Sequence, residues 1–374
     1  MTVPPPAEIG APLHEVDTPA LLIELDDFER NLAAMAGAVE GFAPVLRPHS
    51  KTHKCPEIAL RQIALGAVGV CCQKVSEAEA MVEGGVSDVL VSNEVVGAPK
   101  IARLAALARR ARVGVCVDDA DNVQALGRAA AEAGVELQVL VEINVGANRC
   151  GVEPGQPALA LAEKVAATPG LSFSGLQAYQ GSAQHIREDA ARQAAIATAA
   201  GAVAETVELL GGRGLTCPVV AGAGTGSYRC EAASGVYTEL QAGSYIFMDA
   251  DYARNLGEDG QPLQEFEHSL FIHTTVMSQT APGRAVVDAG LKAHSVDSGM
   301  PWVHGLAGVS YVGASDEHGK LAVAQAAAMP RVADKIRLIP GHCDPTVNLY
   351  DWYVGMRNGK VESLWPITAR GMLY

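Results

Sequence analysis

The alternation of short strand-like and helical segments constrains the fold of this chain more than any other feature. Eight apolar, β-branched runs follow one another between residues 45 and 247, and stretches with helical spacing separate most of them. Eight such units are the number needed for a (β/α)8 barrel of parallel strands. A doubly wound α/β sheet is the alternative arrangement. The predicted strands cover residues 45–46, 67–72, 88–91, 113–117, 137–143, 171–176, 217–221 and 239–247.

The character of the chain changes after about residue 260. There the apolar runs are short, Gly, Pro and Asp separate them, and the Asn358-Gly359 pair marks a hairpin turn. The strand-like segment 20–25 precedes the first barrel helix and is expected to pair with this module. We therefore predict an α/β barrel domain over residues 26–258 and a β-domain formed by residues 1–25 and 259–374.

Charge and composition exclude several classes of partner. The 374 residues include 28 basic and 42 acidic side chains, a net charge of −14, which disfavours nucleic acids and anionic membranes as ligands. No apolar run reaches transmembrane length, and the first residues lack the features of a signal peptide. The eight cysteines lack the spacing of a disulfide framework or a Cys-rich zinc site. These features predict a cytoplasmic enzyme that acts on a small molecule.

Lys51 stands out because of its neighbours. It closely follows the first predicted barrel strand, in the segment Arg-Pro-His-Ser-Lys-Thr-His-Lys at 47–54. An amine surrounded by cations loses part of its proton affinity, and such lysines form Schiff bases with carbonyl compounds or with pyridoxal 5'-phosphate (PLP). Taken alone, the segment is better explained as a solvated basic loop.

The other unusual polar and glycine-rich clusters fall at the ends of later strands, on the same rim of the barrel as Lys51. Active sites of such barrels are built on this rim. The loop Gly-Ala-Gly-Thr-Gly-Ser at 222–227 offers backbone N–H groups and two hydroxyl groups to a phosphate, although its spacing is neither that of a Rossmann fold nor that of a P-loop. A lysine and a phosphate site on one rim predict a phosphate-bearing aldehyde as the ligand. The remaining rim clusters contain Glu142, Asn144, Arg149, Gln177, Tyr179 and Tyr245.

The segment 47–54, the run Arg149-Cys150-Gly151 and the loop 222–227 resemble the fold-type III PLP enzymes of alanine racemase architecture. The similarity extends from residue 17 to the C-terminus and is greatest to the D-threonine aldolase / D-serine dehydratase family. It implies a PLP-binding (β/α)8 TIM barrel with a C-terminal β-domain, a homodimer, and Lys51 as the Schiff-base lysine. The resemblance also implies further cofactor-binding residues, which are Arg149 at the phenolic oxygen, Tyr179 at the ring, and Gly224, Thr225, Gly226 and Tyr245 at the phosphate. Ala223 stands where the family pattern prefers a glycine.

A second motif, His342-Cys343-Asp344, lies in the predicted β-domain. In an extended segment His342 and Asp344 would project to one face and could share a metal ion, although by itself this pattern is more often a hydrogen-bonded pair. The resemblance implies a metal site, because dehydratases of the family carry His-x-Cys here and bind zinc. The aldolases carry His-x-Asp, and oxygen and imidazole ligands suit Mn²⁺ or Mg²⁺. Asp344 therefore favours an aldolase.

Together these residues predict a PLP- and metal-dependent aldolase. It would cleave D-configured β-hydroxy-α-amino acids, of the D-threonine or 3-hydroxy-D-aspartate type, to glycine and an aldehyde. A metal on His342 and Asp344 would lower the pKa of the β-hydroxyl group of the substrate. His185 is the predicted base for that proton, and His53 is an alternative proton carrier.

Three other functions share parts of this pattern. A D-serine or 3-hydroxyaspartate dehydratase would use the same class of substrate and give ammonia and a 2-keto acid. A PLP-carrying homeostasis protein would lack the β-domain and the metal pair. An amino-acid racemase would need no metal, and its tyrosine base is not evident in the sequence. The dehydratase is therefore the main alternative to the aldolase.

Overall fold

Two β-sheets organise the computed structural model, which describes residues 3–325 and 329–374. The first strand, Ala20–Glu24 (β1), belongs to the second sheet. The next eight strands are Val45–Leu46 (β2), Val70–Cys72 (β3), Asp88–Glu94 (β4), Arg112–Val117 (β5), Leu137–Glu142 (β6), Leu171–Gln177 (β7), Val219–Gly222 (β8) and Glu239–Leu240 (β9). These eight strands form a parallel sheet in the order β2-β9-β8-β7-β6-β5-β4-β3.

The parallel sheet closes into a barrel between its two end strands. The Val68 N–H group donates to the carbonyl oxygen of Leu46, and the Cys71 N–H group donates to that of Pro48, both at 2.9 Å. An open, doubly wound sheet would leave these two edges unpaired. The predicted (β/α)8 barrel is therefore confirmed.

Helices cover the outside of the barrel. They are Leu25–Glu40 (α1), Pro56–Ala64 (α2), Val75–Glu83 (α3), Ala98–Leu107 (α4), Ala120–Ala133 (α5), Gln156–Ala166 (α6), Asp189–Gly211 (α7) and Tyr228–Ala233 (α8). Helix α5 shows how local sequence sets the ends: the Asp119 carboxylate accepts the N–H groups of Asp121 and Asn122, and Gly134 ends the helix at a φ of +66°. Helices α2, α4 and α6 have a proline in the first turn, where its missing N–H group costs no hydrogen bond.

Alternate strand residues fill two apolar layers. One buried cluster lies inside the barrel and consists of Cys71, Leu90, Cys116, Leu140 and Ala221. Residues next to these in sequence point outward and pack under the helices, for example Val70, Val89, Val115, Val139 and Val220. Cys71 and Cys116 thus act as small apolar side chains of the core.

The second sheet contains the remaining strands and forms most of the β-domain. They are Leu270–Ala281 (β10), Arg284–Val287 (β11), Trp302–His304 (β12), Val309–Ala314 (β13), Gly319–Val323 (β14), Lys335–Ile339 (β15), Trp352–Arg357 (β16) and Lys360–Pro366 (β17). The order is β13-β14-β11-β10-β1-β16-β17, and β15 pairs with β10 and β12. Strand β1 runs antiparallel to β10 and parallel to β16, which is the pairing expected for segment 20–25. Because α1 begins at Leu25, directly after β1, no linker separates the β-domain from the barrel at this point.

Two local expectations can be compared with the structure, which also contains one strand that was not expected. The hairpin turn at Asn358-Gly359 is confirmed, with φ values of +51° and +73°. The strand predicted over 239–247 is wrong beyond Leu240: the chain turns at Gly243, where a Cβ would lie 2.8 Å from the His49 carbonyl oxygen, and continues as the buried 3₁₀ turn Ser244–Ile246. Strand β12 was not predicted from the sequence.

Helix α7 is long and apolar enough, by length and composition alone, to cross a membrane. It is not an uninterrupted apolar run, because Arg192, Glu205 and Glu208 lie within it, so it does not contradict the expectation about apolar runs. The helix connects β7 to β8, and Ile196, Val203 and Leu210 on one face are buried. It is therefore placed as a barrel helix.

His273 on β10 makes the stability of the β-domain sensitive to acid. It is 1% exposed. Burial, together with the nearby cations Lys335 and Arg337, lowers its pKa from 6.5 to about 4, although the backbone of Leu13 and the Asp288 carboxylate oppose this shift. As the pH falls below 6.5, the unfolded chain therefore binds a proton that the folded chain does not bind.

We expect the His273→Leu variant to lose less stability on acidification than the wild type. Between pH 7 and pH 5 the difference in the free energy of unfolding should be on the order of 2 kcal/mol. Urea unfolding of both proteins at the two pH values measures this difference. An identical pH dependence of the two proteins would contradict the buried, neutral state of His273.

Candidate active site

A cleft of about 770 Å³, partly open to solvent, lies where the carboxyl ends of the barrel strands face the β-domain. Both domains contribute to its walls, since Lys51 follows β2 and His342 follows β15. The cleft brings together most of the predicted site residues, which are Lys51, Arg149, Tyr179, His185, Gly224, Thr225, His342 and Asp344. His53, Gly226 and Tyr245 do not line it.

The loop that carries Lys51 is held from both domains. Within the barrel, the Ser50 hydroxyl group lies 2.6 Å from Glu77 Oε1 and 2.8 Å from the Cys71 carbonyl oxygen. From the β-domain side, the Tyr353 hydroxyl group donates to the carbonyl oxygen of His53 at 2.8 Å. These contacts fix the backbone on both sides of the lysine, so its amine is directed into a defined position in the cleft.

The cations around Lys51 in the sequence do not surround its amine in the structure. Arg47 forms ion pairs with Asp88 and Glu239, and the Lys54 Nζ lies 3.9 Å from Glu77. His49 is buried, and burial together with Lys51 holds its pKa well below the usual value, so its ring is neutral. The expected cationic crowding is therefore wrong.

The Lys51 amine instead faces a carboxylate. Its Nζ lies 3.8 Å from Asp344 Oδ2. Burial lowers the pKa of Lys51, but Asp344 and Tyr179 raise it, and the net direction is upward. The electrostatic setting of this amine is therefore pairing with a carboxylate and not crowding by cations.

The predicted PLP residues fall into two groups. The guanidinium carbon of Arg149 lies 5.8 Å from the centre of the Tyr179 ring, and its Nη2 atom lies 3.9 Å from Glu142 Oε1. Thr225 and Gly224 line the cleft from the loop after β8, which is two strands away from β6, the strand that Arg149 follows. A Cβ at Gly224 would lie 2.5 Å from Gln184 Oε1, so a larger residue here would displace the buried Gln184 side chain.

Gly226 and Tyr245 do not line the cleft, and their backbone hydrogen bonds hold the glycine-rich loop in place. The Gly226 N–H group donates to Gln184 Oε1 at 2.9 Å, and the Tyr245 N–H group donates to Thr225 Oγ1 at 3.0 Å. Ala223 adopts a φ of +73°, a left-handed conformation that favours glycine. The departure from the family pattern at Ala223 thus introduces backbone strain.

His342 and Asp344 have the properties of metal ligands. The Nδ1 atom of His342 lies 2.8 Å from Asp297 Oδ2, which leaves Nε2 available for a metal. Asp344 Oδ1 is buried and has no hydrogen-bond partner within the described part of the chain. Burial lowers the pKa of His342, whereas Asp344 and Asp297 raise it, and the net direction is upward. A buried orphan oxygen beside an oriented imidazole fits a divalent cation.

The local conformation at this pair differs from the expectation. Residues Cys343–Val347 form a short helix (α9) that begins directly after His342, and they are not extended. Cys343 is fully buried, and its Sγ lies 3.3 Å from the Met248 carbonyl oxygen. The two ligand candidates still reach the same cleft, because one stands before the first turn of the helix and the other within it.

The two candidate histidines have different environments. His185 is half-exposed in the cleft, and its Nδ1 lies 2.8 Å from Asp251 Oδ2. Arg187 also pairs with Asp251. His53 has no exposed surface, its Nδ1 accepts the Cys55 N–H group at 3.1 Å, and burial lowers its pKa to about 3. The proton-carrier role of His53 is therefore withdrawn.

A second set of possible ligands lies elsewhere on the barrel rim. Ligand atoms of Glu94, Asp118 and Cys150 lie within 4.8 Å of one another. Burial and Glu94 raise the pKa of Cys150 to about 11, so its thiol is a poor metal ligand. None of the three residues lines the cleft that contains Lys51.

Several carboxylates that organise the site were missed in the sequence. Asp297 orients His342, Asp251 orients His185, and Glu77 anchors the lysine loop. The pair Asp249-Ala250-Asp251, two acids after a buried apolar run, was the one visible signal. Asp297 lies in a polar loop with no distinguishing pattern.

Comparison with known proteins places the chain in a family. The model of the alanine racemase N-terminal domain matches residues 23–251, and that of the putative serine dehydratase domain matches residues 269–356. A D-threonine aldolase from Arthrobacter sp is 50% identical over 99% of this chain and 97% of its own length. A 3-hydroxy-D-aspartate aldolase from Paracoccus denitrificans (strain Pd 1222) is also 50% identical, over 99% and 96%.

A dehydratase is a more distant relative, and a solved aldolase structure is similar throughout. The D-threo-3-hydroxyaspartate dehydratase of Delftia sp. (strain HT23) is 30% identical over 94% of this chain and 97% of its own. The crystal structure of D-threonine aldolase from Filomicrobium marinum superposes with a TM-score of 0.96 at 53% identity, covering 99% of this chain and 100% of that one. The protein thus belongs to the D-threonine aldolase / D-serine dehydratase family of alanine racemase-like, fold-type III PLP enzymes.

Proposed function

We propose that this chain is a PLP- and divalent-metal-dependent aldolase that cleaves D-configured β-hydroxy-α-amino acids to glycine and an aldehyde. The observation that carries the proposal is the position of Asp344, 3.8 Å from the Lys51 amine and two residues from His342. A cofactor held by Lys51 and a metal held by His342 and Asp344 would act on neighbouring atoms of one substrate. The relatives at about 50% identity support carbon–carbon cleavage as the reaction.

The chain's own residues would hold PLP at three points. Lys51 would bind its aldehyde, Arg149, which packs over the Tyr179 ring, would donate to its phenolic oxygen, and Thr225 with Gly224 would bind its phosphate. Gly226 and Tyr245 would act indirectly, by holding the phosphate loop. When bound, PLP supplies an electron sink for the bond that breaks at Cα.

The metal pair would act on the β-hydroxyl group of the substrate. His342 Nε2 and the orphan Asp344 Oδ1 would hold Mn²⁺ or Mg²⁺, which would lower the pKa of a hydroxyl group that it binds. His185 is the base in this proposal. Asp251 engages its Nδ1, so Nε2 is the nitrogen that would take the hydroxyl proton.

The alternative dehydratase is disfavoured by the residue at position 344. Zinc prefers a thiolate ligand there, and the chain has an aspartate. The dehydratase relative is also the more distant one, at 30% identity. A cytoplasmic location and a homodimer are part of the proposal. The location rests on the eight cysteines, whose spacing is not that of a disulfide framework, and the homodimer rests on the family resemblance.

Product analysis separates the two reactions. We expect the holoenzyme to convert D-threonine and 3-hydroxy-D-aspartate to glycine and the matching aldehyde, and a chelator to stop the reaction because the metal activates the hydroxyl group. Chromatography of amino acids and aldehydes measures the products. Ammonia with a 2-keto acid would indicate a dehydratase instead.

Two controls belong to this experiment. The Lys51→Ala variant should lose both the activity and the visible absorbance of lysine-bound PLP. The His342→Ala variant should keep the absorbance and lose activity. Activity that survives both the chelator and His342→Ala would contradict the metal assignment.

The two histidines give a matched pair of variants for the base. His185→Asn should lower kcat by roughly 10²- to 10⁴-fold, because a positioned base contributes about that much. His53→Gln should change kcat much less, since His53 does not line the cleft. Steady-state kinetics with D-threonine measures both values. A larger loss in His53→Gln than in His185→Asn would reverse the assignment.

A further inference from the structure

Asp249 is a fully buried carboxylate that the reaction itself does not use. Its Oδ1 accepts the N–H groups of Asp251 and Tyr252 at 3.2 and 3.0 Å, and its Oδ2 accepts the N–H group of Cys343 at 3.0 Å. In the described ranges 3–325 and 329–374, no basic side chain forms an ion pair with it. Backbone N–H groups, one set for each oxygen, therefore compensate its charge.

The two segments that Asp249 joins carry the two halves of the proposed chemistry. Cys343 lies between His342 and Asp344, so its N–H group belongs to the backbone that presents the metal pair. Asp251 holds His185 Nδ1 at 2.8 Å. The Asp249 carboxylate thus connects the segment 342–344 of the β-domain, called the metal loop here, to Asp251, the partner of His185 in the barrel.

The turn that carries Asp249 makes a further contact with the segment before His342, and its backbone is strained. The Ala250 N–H group donates to the Pro340 carbonyl oxygen at 2.9 Å, directly before the metal loop. Met248 adopts a φ of +50°, which is unfavourable for a side chain of this kind. The hydrogen bonds that Asp249 and Ala250 make to the two segments offset the free-energy cost of this backbone strain.

We propose that Asp249 is a positioning residue that sets the geometry of the metal pair and couples it to His185. The inference rests on the proposed function only in that His342 and Asp344 hold the metal. Without the Oδ2 bond the Cys343 backbone is free to shift, and the two ligands lose their fixed separation. Residues that orient metal ligands from outside typically change metal affinity about 10- to 100-fold when they are replaced.

Asp249→Asn tests the coupling with little change in volume. An amide has one acceptor oxygen, so the variant must lose the bond either to Cys343 or to the Asp251–Tyr252 turn. We expect Mn²⁺ titration of the PLP-loaded enzyme, followed by electron paramagnetic resonance or calorimetry, to show a Kd about 10- to 100-fold weaker than that of the wild type. The visible absorbance of lysine-bound PLP should be retained. A Kd within threefold of the wild-type value overturns the proposal.

Asp288→Asn is the matched control for a general loss of stability. Asp288 also accepts a backbone N–H group, that of Thr275 at 2.9 Å, and two threonine hydroxyl groups, but it does not line the cleft. Its Mn²⁺ affinity should stay at the wild-type value. An equal weakening in both variants would assign the effect to the fold of the β-domain and overturn the proposal.

A second pair of variants removes the same hydrogen bond from its other end. Cys343 is the first residue of α9 and follows an extended His342, so proline is tolerated there and deletes the donor. Because it also removes the buried thiol, Cys343→Ala, which removes the thiol alone, is its control. Cys343→Pro should weaken Mn²⁺ binding as Asp249→Asn does, whereas Cys343→Ala keeps the N–H group and should bind normally. Equal affinities in this pair overturn the proposal even if Asp249→Asn fails to fold. A wild-type protein that binds no Mn²⁺ would overturn the metal assignment and this inference together, whereas unchanged affinity in the variants overturns the inference alone.

Discussion

The approach of Asp344 to Lys51 is the contact on which the site depends. The lysine follows the first strand of the barrel, and the carboxylate stands in a short helix of the β-domain, yet Nζ and Oδ2 lie 3.8 Å apart. Neither domain contains the complete set of residues. The distance between cofactor and metal is therefore a property of the interface between the two sheets, and small shifts there would separate the two reactive groups.

Several independent contacts hold that interface. Strand β1 lies in the second sheet and continues directly into α1 of the barrel. The Tyr353 hydroxyl group and the Ala369 N–H group bind carbonyl oxygens of the lysine loop at 2.8 and 3.0 Å. Asp249 adds a buried link to the metal loop. The contacts involve backbone atoms on at least one side, so they fix the course of the chain itself.

The charged side chains of the lysine loop and those of the metal pair lie in different surroundings. Arg47 and Lys54 are neutralised by carboxylates away from the cleft, and His49 and His53 are buried with lowered pKa values. On the metal side, Asp297 and Asp344 flank a single imidazole. Carboxylate and imidazole groups that meet at one point favour binding of a divalent metal ion there.

Periodicity predicted the fold well, and the motifs predicted most of the residues that line the cleft. Both failed where burial decides the surroundings of a side chain. The strand alternation, the N–G hairpin at 358–359 and the position of Lys51 are encoded locally, so the sequence shows them. His53 and His185 look alike in sequence, and only the tertiary structure buries one and orients the other through Asp251.

Contacts between residues that are distant in sequence account for other features that were not predicted. Asp297 lies 45 residues from His342 along the chain, and Arg47 faces Asp88 and Glu239 from other strands. No local pattern records such pairs. The short helix at Cys343–Val347 was likewise hidden, because a five-residue segment carries too little periodicity to separate helix from extended chain.

The position of the metal is the most direct test of this account. Crystals of the PLP-loaded enzyme grown with Mn²⁺ should show an anomalous diffraction peak about 2 Å from Asp344 Oδ1 and from His342 Nε2, beside the Lys51-bound cofactor. An active enzyme whose Mn²⁺ peak lies instead among Glu94, Asp118 and Cys150, with no metal at His342, would contradict it.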